Sequence, residues 1–448
     1  HRAARSEIER RQPRYSELVD PKPPAAKDVG ELLHPGEALL SFFFGRQSSF
    51  VWVLRNGEPA VLAAIPVTIQ EIERRVAGLR EALEPPEKTP IPAFDVAAAA
   101  DLYDLLLKPV EAHWRGAKSL LLVTNGALGL MPLGLLPTSR VVLEATEPQR
   151  FSAYRQVPWL ARTHAVTLVP SAAALLSLRR SPPGSANRDT LIGFGDPQFN
   201  AAQVAVETPL ASAYSIDARG LVLRRRAQPA TRSLNKAALA DLKSLPDTAL
   251  ELKAVARTLN ADPTKALHLG KAANEQVVKT TNLARFKIVA FSTHGLLPND
   301  LDGLTQPALA LTAPDIAGVD GDGVLTMEEI LSLKLDADWV LLSACNTAAG
   351  TSNGAEAASG LGRAFFYAGA RALLVTNWSV DSASARDLVT GLFDRHVNTP
   401  GITRSEALRQ AMMHLVDNGN LSDADGRVLF TYAHPLFWAP YSVIGDGT

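Results

Sequence analysis

A chain of 448 residues, 46% hydrophobic and 20% charged, is long enough for two or three domains or for one large α/β unit with additions. Its net charge of -1 creates no bulk field to attract nucleic acid or anionic lipid, so both partner classes are excluded as expectations. The single cysteine, Cys345, rules out an intramolecular disulfide or a thiolate metal cluster within the chain and points to a reducing, cytoplasmic setting.

Residues 1–29 open with HRAARSEIERRQPRYSEL, which is charged, has no apolar core to serve as a secretory signal, and has no initiator Met. They continue into the Pro-rich DPKPPAAKDVG and read as the helical tail of an upstream region followed by a linker. Residues 30–115 form the next unit. There, EALLSFFFGRQSSFVWVLRNGEPAVLAAI alternates apolar runs with the turn signals Gly45-Arg46 and Asn56-Gly57, which predicts a small antiparallel β-meander. Apolar spacing of three to four residues predicts helices over Ile69–Leu83 and Ala97–Ala112, separated by EPPEKTPIP.

Residues 116–448 change pattern. Compact apolar runs at 120–123, 165–169, 190–195, 287–292, 339–344 and 371–376 alternate with helical stretches, so this unit is α/β with a mostly parallel sheet flanked by helices. The uncharged run between Lys118 and Arg140 matches a membrane span in length but is broken by Asn125-Gly126, Gly129, Pro132, Gly134 and Pro137. It reads instead as a buried strand, a turn and a second short element. The interval 196–233 is irregular and contains Arg224-Arg225-Arg226, a solvated basic loop that is also a candidate for self-cleavage.

In open α/β sheets the chemistry gathers where strands end at their carboxyl side. Thr293-His294-Gly295 follows one strand and Cys345-Asn346-Thr347 follows another, and a short helix, Thr326–Ser332, suffices for the crossover between them. A thiol is weakly ionised at neutral pH and becomes a nucleophile beside a base or an imidazolium, which His294 would supply. The N–H groups of Gly295 and Cys345 could together form an oxyanion hole. Taken singly, a lone buried Cys is a small core hydrophobe and a lone His a hydrogen-bonded structural group; their matched positions favour function.

The blocks FSTHG (291–295), DGVLTMEEI (322–330), VLLSACNTAAG (340–350), GLGRAFFYAGARALLVTNWSVDSASA (360–385) and HPLFWAPYSVIG (434–445) resemble the CHAT domain family. So do LLVTNGALGLMPLGLLP (121–137) and GFGDPQF (193–199), and the resemblance spans about residues 30–445. It implies a caspase-like fold related to separase, a cysteine-protease dyad of His294 and Cys345, and a preceding tetratricopeptide-type repeat region in a bacterial protein. Where many members carry Gly-Glu-Gly, this chain has Gly354-Ala355-Glu356-Ala357, which leaves Glu356 to serve the start of a helix Glu356–Ala368.

Other motifs fail on spacing. Counting from Asp320 as position one of a calcium loop puts Leu325 at the invariant Gly and Leu331 at the bidentate Glu, so this segment is a turn leading to a helix with Thr326 as N-cap and Glu329 at N3. Gly193-Phe194-Gly195 lacks the third glycine of a dinucleotide loop, and His164 and His268 show no metal spacing. No metal or organic cofactor is expected.

The resulting expectation is a cysteine endopeptidase acting on protein substrates, with an upstream repeat domain or a regulatory protein as a further partner. The alternative is a catalytically silent scaffold of the same fold. Asp381 carries the specificity question, because NWSVDSASA resembles the separase Trp-x-Val-x-Asp region, which implies a preference for a basic residue before the cut. Asp381 is equally placed to cap a helix Ser382–Phe393.

Overall fold

The computed structural model describes residues 24–86, 89–144, 147–204, 214–217, 220–223, 239–343, 352–423 and 425–448. Residues 1–23 of the expected helical tail and linker (1–29), the basic run Arg224–Arg226 and Cys345, the expected nucleophile, lie outside the described residues.

After the short helix α1 (Ala26–Glu31), the meander forms as β1 (Glu37–Phe44), β2 (Ser49–Leu54) and β3 (Val61–Ile65), paired antiparallel throughout. Helices α2 (Ile69–Glu81) and α3 (Val96–Leu106) follow. The predicted second helix ran on to Ala112, but Pro109 supplies no N–H to continue the ladder, and a 3-10 turn, Lys108–Val110, takes over. The uncharged run that follows becomes β4 (Ser119–Val123) and two 3-10 turns, and no described helix is long and apolar enough to cross a membrane.

The remaining elements are β5 (Ala165–Leu168), α4 (Ala172–Arg180), β6 (Asp189–Gly195), the hairpin β7 (Tyr214–Asp217) and β8 (Gly220–Leu223), α5 (Asp247–Thr258), β9 (Leu267–Leu269), α6 (Glu275–Thr280) and β10 (Phe286–Ser292). Then come β11 (Gly295–Leu296), β12 (Ala308–Ala310), β13 (Val324–Thr326), α7 (Met327–Ser332), β14 (Trp339–Leu342), α8 (Ser352–Ala368), β15 (Ala372–Thr376), α9 (Ser382–Asn398) and α10 (Arg404–Asn418). The pair β16 (Asn420–Ser422) and β17 (Val428–Thr431) precedes the last strand, β18 (Tyr441–Gly445). Helix α8 begins a turn earlier than the expected Glu356, which removes Glu356 from its N-terminus.

One eleven-stranded sheet organises the molecule, in the order β3-β2-β1-β4-β5-β18-β15-β14-β10-β6-β9. The meander joins it directly, since β1 pairs with β4 in parallel. Strands β1, β4, β5 and β18 run one way; β18 then meets β15 antiparallel, and β15, β14, β10, β6 and β9 all run the other way. Beyond the antiparallel meander strands β2 and β3, the sheet is therefore two parallel wings of opposite direction, joined at a seam made by β18.

Alternation along each strand sends side chains to two cores. On β10, Ile288 and Ala290 face a core built with α2, α3, α5, α9 and α10, while Val289 and Phe291 face one built with α6, α7 and α8. Burial on both faces is the physical reason that these strands read as unbroken apolar runs.

Candidate functional site

The site is built where β10 ends. Past Ser292, Thr293 Oγ1 donates to the Ala310 carbonyl, and the Ala310 N–H donates to the His294 carbonyl at 2.9 Å, so the backbone before the imidazole is clamped to β12. That bond makes His294 and Ala310 a bonded pair of the antiparallel ladder. By alternation, Gly295 opposite Leu309 turns its N–H away from β12, toward the open side of β11.

The His294 side chain is 1% exposed, and its Nε2 lies 2.8 Å from the Lys243 carbonyl oxygen. A carbonyl only accepts, so Nε2 carries a proton, and a neutral ring held this way has its lone pair on Nδ1. Phe199 holds the ring from one side with centroids 5.6 Å apart. Lys243 itself is fixed by a stretch tied to the end of β6: Gln203 Nε2 donates to the Leu242 carbonyl and Asn200 Nδ2 to the Ala240 carbonyl, both at 2.8 Å. The imidazole therefore has a defined tautomer and a fixed plane.

The neighbouring strand β14 ends beside it. Ser343 N–H donates to the Phe291 carbonyl at 2.9 Å, and its Oγ lies 2.9 Å from the Tyr441 hydroxyl at the start of β18. Cys345 is two residues farther along the chain, a reach of about 7 Å at most.

Asp381 follows β15 as expected and is 1% exposed. Its Oδ1 accepts the Ser384 N–H at 2.9 Å, so it caps α9, the helix-capping role that the sequence allowed. Next to it, Ser382 Oγ donates to Asp247 Oδ2 at 2.9 Å and ties this corner to α5.

Three features escaped the sequence reading. The Lys243 carbonyl is backbone and has no residue-type signature. Arg80, on α2, looks in sequence like part of a solvated helical face, yet it is buried; its guanidinium reaches the Leu130 carbonyl, the Asn377 carbonyl just past β15 at 2.9 Å and the Glu84 carboxylate at 2.7 Å. The third is Asp196, the first residue after β6, which the strand-end rule used for His294 would also have found.

No group of described residues has the donors to hold a metal ion. His164 is engaged by Thr163 Oγ1 at 2.8 Å and packed on Trp114, and His268 stacks on Phe194; burial lowers the pKa of both, which suits structural imidazoles. The glycines of Gly193-Phe194-Gly195 serve packing: a Cβ on Gly195 would sit 2.6 Å from Leu252 and one on Gly193 2.9 Å from Leu267. At 320–326, Asp322 Oδ1 accepts the Val324 N–H at 3.0 Å, and Thr326 and Glu329 form the expected capping box.

The model of the CHAT domain family matches residues 96–446. Among solved structures, separase in the Saccharomyces cerevisiae separase–securin complex is similar with a TM-score of 0.51 at 10% identity, over 94% of this chain and 30% of that one. A second structure of that complex gives 0.48 at 11% identity, over 97% and 31%. Porphyromonas gingivalis RgpB, in a complex of its pro- and mature domains, gives 0.40 at 9% identity, over 84% and 76%. The chain thus spans under a third of the separase it resembles, and the likeness is one of fold. Comparison with curated proteins finds no match.

Proposed function

The chain belongs to the CHAT domain family, and on that premise we propose that it is a cysteine endopeptidase that cleaves protein substrates, with a preference for a basic residue before the cut. In this reading Cys345 attacks the scissile carbonyl. His294 takes the thiol proton on Nδ1 and returns it to the departing amine, while the N–H groups of Gly295 and Cys345 receive the oxyanion. Water then hydrolyses the thioester, with Nδ1 again as base.

The observation that carries the reading is the Nε2 hydrogen bond of His294 to the Lys243 carbonyl, which leaves Nδ1 as the basic atom at the end of the strand beside β14. The same bond stabilises the imidazolium formed when the proton is taken, as an oriented acceptor should. The upstream repeat region and a regulatory protein partner belong to this proposal, as does a division into units at residues 29 and 115; the acid beside the substrate, for which the sequence offered Asp381, is taken up below.

The test is a peptide-directed electrophile. The wild type should be labelled at Cys345 much faster than by a small haloacetamide, and His294→Ala should lose that advantage. Equal labelling by both reagents, unaffected by His294→Ala, would identify a catalytically silent scaffold.

A further inference from the structure

We propose that Asp196 is the carboxylate that receives the cationic side chain of an arginine or lysine preceding the cleaved bond, an inference that rests on the endopeptidase reading above. Register places it. Phe194 pairs with Phe291 and Gly195 with Ser292, so one residue on, Asp196 comes level with Thr293, immediately before His294. In the strand order it flanks β10 on the side away from β14, so it stands at the same edge of the sheet as His294 without occupying the place of the strand that leads to Cys345.

The local backbone is built to hold that acid outside the sheet ladder. Asp196 sits at φ 52°, in the left-handed region that few side chains other than Asp and Asn adopt readily. Its N–H donates to Thr248 Oγ1 at 2.8 Å, and Thr248 Oγ1 in turn donates to the Leu245 carbonyl at 2.6 Å. Gly195 lets α5 approach closely enough for this clamp, since any Cβ there would collide with Leu252.

The carboxylate is partly buried, and among the described residues no cation contacts it; Lys253 acts on it only from a distance. Burial pushes its carboxyl up to about 6. A charge partly withdrawn from water without a counter-ion costs the fold stability, and such groups cluster where a ligand completes them. A guanidinium or ammonium entering beside His294 is the missing partner and would form charge-assisted hydrogen bonds. Asp381 differs in each respect: it is 1% exposed and its Oδ1 is committed to the Ser384 N–H.

The experiment uses two peptides identical except for arginine or its neutral isostere citrulline before the scissile bond, with the wild type, Asp196→Asn and Asp381→Asn. The wild type should prefer arginine. In Asp196→Asn the ratio of kcat/KM for arginine over citrulline should fall about tenfold to a hundredfold, chiefly through KM, without a lower melting temperature. Asp381→Asn should retain the ratio.

A ratio unchanged in Asp196→Asn, or one abolished only in Asp381→Asn, overturns the proposal and leaves the endopeptidase reading intact. Equal cleavage of both peptides by the wild type overturns the proposal together with the basic preference, and leaves only peptide cleavage itself standing. If the wild type cleaves neither peptide, the endopeptidase reading is what fails. Calorimetric titration of Cys345→Ala with the two peptides then decides the cation site: tighter arginine binding that Asp196→Asn removes upholds it, and equal or no binding overturns it.

Discussion

Both wings of the sheet contain a run of parallel, largely buried strands, yet the carboxyl ends of those strands point to opposite edges of the sheet and carry different residues. Where β4 ends, the chain runs into Thr124-Asn125-Gly126, and where β5 ends, Ser171 caps α4 by accepting the Ala174 N–H at 3.0 Å. Where the strands of the other wing end stand Asp196, His294, Ser343 and Asp381. The opposite ends of that second wing instead hold matched charges: Arg188 grips Asp338 with two bonds of 3.0 Å, and Arg371 pairs with Asp336 at 2.8 Å. Charges compensated at one edge and, at the other, a carboxylate that no described cation contacts distinguish the two edges more sharply than the fold does.

The largest effect that would sharpen this contrast is the loss of the nucleophile. Cys345→Ala should abolish cleavage while costing around 1 kcal/mol of stability, as judged by assay and denaturant unfolding of the same sample. Residual cleavage by folded protein would remove Cys345 from the site. His294→Ala should slow turnover by about 10²–10⁴-fold with a smaller change in KM, and a change confined to KM would make the imidazole a structural group.

Arg80→Ala tests how firmly the first wing's helix supports the second wing's site. It leaves the Leu130 and Asn377 carbonyls without their donor and should destabilise the fold by about 3 kcal/mol in denaturant titrations. A cost below 1 kcal/mol would mean that the loop after β15 stands without it.

Asp196 gives a smaller and pH-dependent signal. Its folded carboxyl titrates near 6, above the unfolded value of about 3.9, so the folded state holds the proton more tightly. The stability this lends is complete below about pH 4 and is lost as the pH rises through about 6. Among the described residues, the charged group that acts on it is Lys253 on α5. Asp196→Asn should therefore raise the melting temperature relative to wild type at pH 7.5 and not at pH 4; the reverse pattern would show a paired, structural carboxylate. At the other edge, exposed Asn125→Ala should change stability by less than about 0.5 kcal/mol and leave cleavage unaltered.

Strands β4, β5, β6, β10, β14 and β15 were legible because burial on both faces forces apolar runs, and the meander because its turns are marked by Gly45-Arg46 and Asn56-Gly57. The seam was not. Strand β18 is last in sequence and central in space, and nothing local in YSVIG encodes its insertion between β5 and β15. His294 and Gly295 stood out by residue type at a strand end, whereas the carbonyl that orients the imidazole belongs to Lys243, where any residue could supply it. Asp381 suited two roles in sequence because an N-cap and a pocket acid need the same side chain at the same place; its hydrogen bond to Ser384 shows that it caps the helix.

Because Cys345 is the only thiol in the chain, its alkylation reports on the site without labelling elsewhere. The direct measurement is the rate of alkylation by iodoacetamide against pH, in wild type and His294→Ala. A thiolate stabilised by the imidazolium should react with a midpoint well below the value of about 8.5 for a free thiol, and His294→Ala should return the midpoint to that value. Superimposable profiles for the two proteins would contradict a His294–Cys345 dyad at this edge of the sheet.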